Sequence, residues 1–212
     1  AYAIGHDSKI AERIASITRA TPPPNNPQPT SSSGFTPQER AERLAQAQTW
    51  ERSGAYRQAI TAYQQLLTDA PADDETRGNL ARVLARDGQF DQAASLYREI
   101  LTRHPSDLDV QIGLARALSW QKQYDPAIQQ YHTVLRQDST NREALQGLAD
   151  TLFWSGATQE AVQQYTRLHQ LTGDEAVAAR VRDLTALLEA SPQAPLGVRD
   201  TTIRFPFRDY LK

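Results

Sequence analysis

Few residues in this sequence are equipped for covalent or metal chemistry, and their spacing argues against it. His6, His104, His132 and His169 lie on separate segments. None has a second histidine four residues away, the pairing that puts two ligands on one helix face. Asp73, Asp74 and Glu75 form an acidic run at a helix start, where the helix dipole favours carboxylates and capping accounts for them without a metal. There is no glycine-rich phosphate loop and no Gly-x-Ser-x-Gly elbow, and 0 cysteines exclude thiolate chemistry and disulfides. Recognition is the better chemistry to look for. Arg52, Arg86, Trp120 and Trp154 stand a constant 34 residues apart, and guanidinium and indole groups dominate binding hot spots.

The same interval governs the elements that must position this column. Tyr63, Tyr97, Tyr131 and Tyr165 share it, as do Ala59, Ala93, Ala127 and Ala161, and Ala47, Ala81, Ala115 and Ala149. Gly54, Gly88 and Gly156 repeat in step, with Lys122 in the third slot. Pro71 and Pro105 end the first two units, where the later ones carry Ser139 and Gly173. A fixed period of this length marks a solenoid, each unit a supersecondary element stacked on the next. The expected fold class is all-α, a right-handed α-solenoid of helix-turn-helix hairpins. The first pair falls at about 37–53 and 56–69, the second at 73–87 and 90–103. The third falls at about 107–121 and 124–137, the fourth at 141–155 and 158–171.

Local signals support these limits. Thr36-Pro37-Gln38-Glu39 reads as a capping box with proline in the first turn. Asp91 and Asp125 stand where second helices begin. Small alanines let paired helices approach, while the tyrosines, Trp50, Leu84, Leu118 and Leu152 fill the space between them. A ninth amphipathic helix reaches about Ala190, with Val177, Val181, Leu184, Leu187 and Leu188 on its buried side, and caps the last apolar face.

Four regions follow. Residues 1–20 hold a short amphipathic segment with Ile10, Ile14 and Ile17 on one face, and 21–35 are a Pro/Ser-rich linker. Residues 36–190 are the repeats with their cap. Residues 191–212 are an extended tail in which Arg204, Phe205, Phe207 and Tyr210 interleave charge with aromatic surface suited to docking.

With 212 residues, a formal net charge of -2 and a pI near 6.1, the chain lacks the basic footprint of a nucleic-acid binder. No apolar run is long enough to span a bilayer. The sequence has 0 methionines and begins Ala1-Tyr2-Ala3, similar to the small-residue end of a signal peptide. A processed chain in the periplasm or an equivalent extracytoplasmic lumen is therefore favoured over a cytoplasmic one.

The recurring frame of Ala, Gly, aromatic, Ala, Tyr and Pro resembles the tetratricopeptide repeat over residues 37–190. Lys122, Thr158 and Ser139 depart from its pattern at single positions. The resemblance implies an adaptor without catalytic activity or cofactor, binding a protein or peptide in a concave groove lined by the first helix of each pair. Carried onto this chain, groove positions are Gln48 and Arg52, then Asn79, Arg82 and Arg86. They continue with Ile112, Arg116 and Trp120, and end with Asp150, Phe153 and Trp154. One half of the groove would be cationic and the other aromatic. Members that clamp a partner's terminal carboxylate place donors where this chain has Leu44, Gln48, Asp109 and Gly113, so that activity is not implied.

Two uses remain open: a groove that captures a protein segment, or a structural subunit of a larger complex clamped by its own extensions. Leu118-Ser119-Trp120 and Leu152-Phe153-Trp154 also resemble the periplasmic repeat domains of bacterial outer-membrane polysaccharide-export proteins.

Overall fold

Thr36 starts the helical array as its sequence predicts. The structure, a computed structural model, describes residues 34–190. The Glu39 N–H donates to the Thr36 hydroxyl at 3.2 Å and the Thr36 N–H donates to the Glu39 carboxylate at 2.8 Å, closing the capping box. Nine helices follow among the described residues. The first helices of the four hairpins are α1 (Pro37–Arg52), α3 (Asp74–Arg86), α5 (Leu108–Trp120) and α7 (Arg142–Ser155). Their partners are α2 (Tyr56–Asp69), α4 (Phe90–Arg103), α6 (Tyr124–Gln137) and α8 (Thr158–Thr172), and α9 (Glu175–Ala190) closes the row. The isoleucine segment, the linker up to residue 33 and the tail residues Arg204, Phe205, Phe207 and Tyr210 lie outside the described residues, whereas Phe35 at the end of the linker packs on the first hairpin and its N–H donates to Asp69 at 2.9 Å.

The periodic turn residues have a backbone reason. Each hairpin turn places one residue in the left-handed region: Gly54 at φ 76°, Gly88 at 83°, Lys122 at 62° and Gly156 at 91°. That conformation lets the next N–H reach back five residues, as Gln89 does to the Leu84 carbonyl at 2.8 Å and Gln123 to Leu118 at 2.9 Å. Lys122 adopts it without glycine's freedom. Asp73, Asp107 and Asn141, which the sequence places inside α3, α5 and α7, stand just outside them as N-caps. Their side chains accept from Thr76, Val110 and Ala144 N–H groups at 3.0, 3.1 and 3.0 Å.

Asp91 and Asp125 stand in the first turns of α4 and α6, where the sequence places helix starts, and those helices begin after Gln89 and Gln123 with no side-chain cap. Asp74 does more than favour the helix dipole. It accepts from Arg77, from Arg103 on α4 and lies 3.1 Å from His104 Nε2, tying the start of α3 to the end of α4.

Each helix packs on its neighbours in sequence, and further contact runs between first helices, α3 with α5 and α5 with α7. First helices therefore crowd the inner face of the stack. The tyrosine period belongs to the core, with Tyr63 and Tyr131 wholly buried. Tyr97 and Tyr131 drive their rings against the backbone of the next first helix. A Cβ at Gly113 or Gly147 would come within 2.5 Å of them. On α9, Ala178 and Leu184 are buried and Val177 and Val181 pack on the same core, while Leu188 turns out exposed.

Candidate functional site

The cationic half of the expected groove is built around a residue that the sequence reading did not single out. Glu51, at the end of α1, is 6% exposed. Arg82 grips it with two prongs, Nε to Oε1 at 2.7 Å and Nη2 to Oε2 at 2.9 Å. Arg86 adds Nη1 to Oε1 at 3.0 Å, and the Tyr63 hydroxyl donates to Oε2 at 3.3 Å. Burial pulls the Glu51 carboxyl upward, but the Arg82 hydrogen bond and charge, with Arg86 behind it, outweigh this and hold it below the usual range. Burial beside Glu51 pushes the Tyr63 phenol up to about 12. Asn79 completes the cluster by accepting from Arg82 at 3.0 Å.

Arg82 and Arg86 are thus partly neutralised, whereas Arg52 and Gln48 are exposed and Arg52 donates to Thr49 at 3.4 Å. Two guanidiniums share one carboxylate, and Arg52 stands apart from that cluster. The signal for Glu51 was visible: in its 34-residue column the other positions are Ala85, Ser119 and Phe153, so one acid stands beside two arginines of the next unit.

Further along, the structure brings four expected groove residues around one cavity of about 190 Å³: Arg116 and Trp120 of α5 with Asp150 and Trp154 of α7. Glu143, Gln146 and the Tyr131 ring also line it. Trp120 packs on Phe90, the first residue of α4, with ring centroids 5.3 Å apart. Arg116 donates to Glu143. Asp150 is 6% exposed and accepts from the Tyr165 hydroxyl of α8. Burial pushes its carboxyl up to about 6, against the pull of the Tyr165 hydrogen bond and of the Arg180 and Arg116 charges.

Two expected residues face elsewhere. Ile112 is 2% exposed and belongs to the core with Tyr131 and Leu145, so it presents nothing to a groove. Phe153 lies under the Arg180 guanidinium of α9, 5.2 Å from its ring centre, and joins the cap. A second depression, about 470 Å³, lies on the first hairpin among Arg43, Trp50, Arg57 and Gln65.

Solved structures share this fold. A thermophilic TPR protein of Thermus thermophilus matches with TM-score 0.60 and 16% identity, over 74% of this chain and 92% of its own. YrrB, described as a TPR protein with an unusual peptide-binding site, matches with TM-score 0.60 and 15% identity over 73% of this chain and 76% of its own. MamA from Desulfovibrio magneticus RS-1 matches with TM-score 0.58 and 17% identity over 62% and 75%. No curated protein sequence matches the chain. The tetratricopeptide-repeat pattern itself matches residues 44–107, 84–133 and 121–188, a continuous span that reaches all four hairpins. On that match, and on four helical hairpins in register, the chain belongs to the tetratricopeptide-repeat family.

Proposed function

We propose that the protein is a non-catalytic scaffold that holds a segment of a partner protein along the surface formed by its first helices. The observation that carries this reading is the convergence of Arg116, Trp120, Asp150 and Trp154 on one cavity, in line with the arginines of the first two repeats. Aromatic and guanidinium groups gathered on one face are the composition of a binding hot spot. The peptide-binding site named for YrrB is a property of that protein, and lends the reading support by analogy of fold.

In finer detail, the scaffold works within a bacterial multiprotein assembly outside the cytoplasm. Its extensions, residues 1–20 and the tail with Arg204, Phe205, Phe207 and Tyr210, add anchoring contacts. Among the described residues no helix is long and apolar enough to cross a membrane.

The test is affinity capture from an extract of the source organism with the intact chain and two variants. One is Arg86→Ala/Trp120→Ala/Trp154→Ala, and the other ends at Ala190. Loss of a specific partner in the triple variant alone supports groove capture. Loss only on removing the tail refutes it and leaves the repeats as a spacer for an anchoring extension.

A further inference from the structure

Tyr97 is the member of the tyrosine column whose hydroxyl has no hydrogen-bond partner among the described residues. Tyr63 donates to Glu51, 12 residues earlier, and Tyr165 to Asp150, 15 residues earlier. Counted back from Tyr97, the same steps reach Ala85 and Arg82, and neither side chain accepts a hydrogen bond. Tyr131 has the Thr151 hydroxyl beside it, where Tyr97 has Ala117. Yet Tyr97 is only 7% exposed, and a hydroxyl that deep is costly to leave unpaired.

That hydroxyl faces the groove. A Cβ on Gly113 of α5 would stand 2.9 Å from it, so the end of the Tyr97 ring takes the place of a side chain at that position. Gly147, one unit later, holds Tyr131 in the same way, and both line the cavity between α5 and α7. Around the Tyr97 oxygen the neighbours are donors: the guanidiniums of Arg82 and Arg86 from α3 and of Arg116 from α5 bear on it, with the Glu51 carboxylate of α1. Glu51 already accepts from Arg82, Arg86 and Tyr63. Arg82 Nη1 and Arg86 Nε and Nη2 meet no acceptor among the described residues. Arg116 donates to Glu143 of α7, and Asp150 beyond it is drawn by Arg180 of α9 as well as by Arg116. Four guanidiniums therefore stand against the carboxylates of Glu51, Glu143 and Asp150. Glu75 and Asp109 are exposed, form no ion pair among the described residues and lie about 10 Å along their helices from Arg82 and Arg116, where salt screens them. Burial pushes the Tyr97 phenol up to about 12, against the charges of Arg82, Arg116 and Arg86, so it remains a donor at neutral pH.

We propose that the Tyr97 hydroxyl, with Arg82, Arg86 and Arg116, receives the carboxylate of one aspartate or glutamate side chain on a partner protein's bound segment. The inference rests on the groove reading and specifies what the groove selects between α3 and α5. A carboxylate only accepts, which is what an unpaired phenol and idle guanidinium N–H groups lack, and bonds of this kind are charge-assisted. The single surplus positive charge matches a carboxylate rather than a phosphate group, which carries about two negative charges.

Gly113 lies under the Tyr97 ring and Gly147 under the Tyr131 ring, which makes their backbone amides a reporter and an internal control. Full-length chain labelled with nitrogen-15 is titrated with N-acetyl-glutamate methylamide and with its neutral isostere, N-acetyl-glutamine methylamide, while both amide signals are followed. The expected results are a saturable shift of Gly113 with the glutamate probe alone and an unmoved Gly147. Tyr97→Phe keeps the ring, so its urea-unfolding midpoint should equal that of the unchanged chain while binding weakens about tenfold, the loss of one hydrogen bond to a charged group. Equal response to the glutamine probe, or undiminished binding in Tyr97→Phe, overturns the proposal. A lowered midpoint in Tyr97→Phe overturns it too, because the hydroxyl would then already have a partner within the protein.

Tighter binding of inorganic phosphate than of the glutamate probe reassigns the site to phosphate and overturns the carboxylate assignment. The same titration on full-length Asp7→Asn/Glu12→Gln/Asp200→Asn/Asp209→Asn separates the source of the carboxylate. Equal binding there supports a partner, and binding seen only there assigns the site to the chain's own extensions and overturns the partner assignment. A chain that ignores the glutamate probe yet loses its partner in Arg86→Ala/Trp120→Ala/Trp154→Ala refutes this site alone. Capture that survives the triple variant refutes the groove reading.

Discussion

Replacing Asp150 by asparagine is expected to stabilise the protein at neutral pH. The side chain is 6% exposed, and burial raises its carboxyl from 3.8 to about 6. In the folded protein the proton is held more tightly than in the unfolded chain. Stability from this group is therefore complete below about 3.8 and lost as pH rises through about 6. Moving one carboxyl over that interval amounts to about 3 kcal/mol. Asparagine keeps the shape and still accepts from the Tyr165 hydroxyl, but carries no charge. Urea unfolding followed by circular dichroism between about pH 4 and about pH 7.5 reads the effect. With a denaturant slope of about 2 kcal/mol/M, the variant's midpoint should exceed that of the unchanged chain by up to about 1.5 M at the upper end. The two should converge at the lower end. Parallel profiles would refute the reasoning, because they would mean that Asp150 is as well solvated as in the unfolded chain. A less stable variant at the upper end would mean that Arg116 and Arg180 over-compensate its burial.

Further outcomes follow from packing and backbone geometry. Gly113→Ala and Gly147→Ala, whose new Cβ atoms would meet buried tyrosine rings at 2.5 Å, should each lose about 2 kcal/mol in urea unfolding. Gly78→Ala, with its nearest neighbour at 3.8 Å, should gain about 0.5–1 kcal/mol; a loss there would show that helix propensity is not the governing term. Lys122→Gly relieves a left-handed backbone at φ 62° and should gain about 1 kcal/mol, raising the midpoint of thermal unfolding. Glu51→Gln removes the charge shared by Arg82 and Arg86 and weakens the Tyr63 contact. Because those arginines are 46% and 34% exposed and can regain water, the expected loss in urea unfolding is only about 1–2 kcal/mol.

Helix limits and repeat register were legible in the linear sequence because they depend on local physics. Thr36 with Glu39, Asp73, Asp107 and Asn141 satisfy helix-start N–H groups within three residues of themselves. Gly54, Gly88 and Gly156 supply the left-handed turn wherever they stand. Lys122 shows that the period, rather than glycine itself, sets the turn.

Side-chain roles on the first helices were only partly legible. Arg52, Arg86, Trp120 and Trp154 form a column by spacing alone, and Arg116, Trp120, Asp150 and Trp154 do meet at one cavity. The period could not say that Glu51 neutralises Arg82 and Arg86, because that pairing joins residues 31 and 35 apart across an interhelical packing angle. Nor could it say that Ile112 faces the core, or that Asp150 is enclosed, since one residue step rotates a helical side chain by about 100°. Residue order was enough to establish which residues are helical, where each turn lies and how often the unit repeats. Which polar groups are buried, and against what, emerged only from the stacked repeats, because burial depends on the neighbouring unit and not on the chain around each residue.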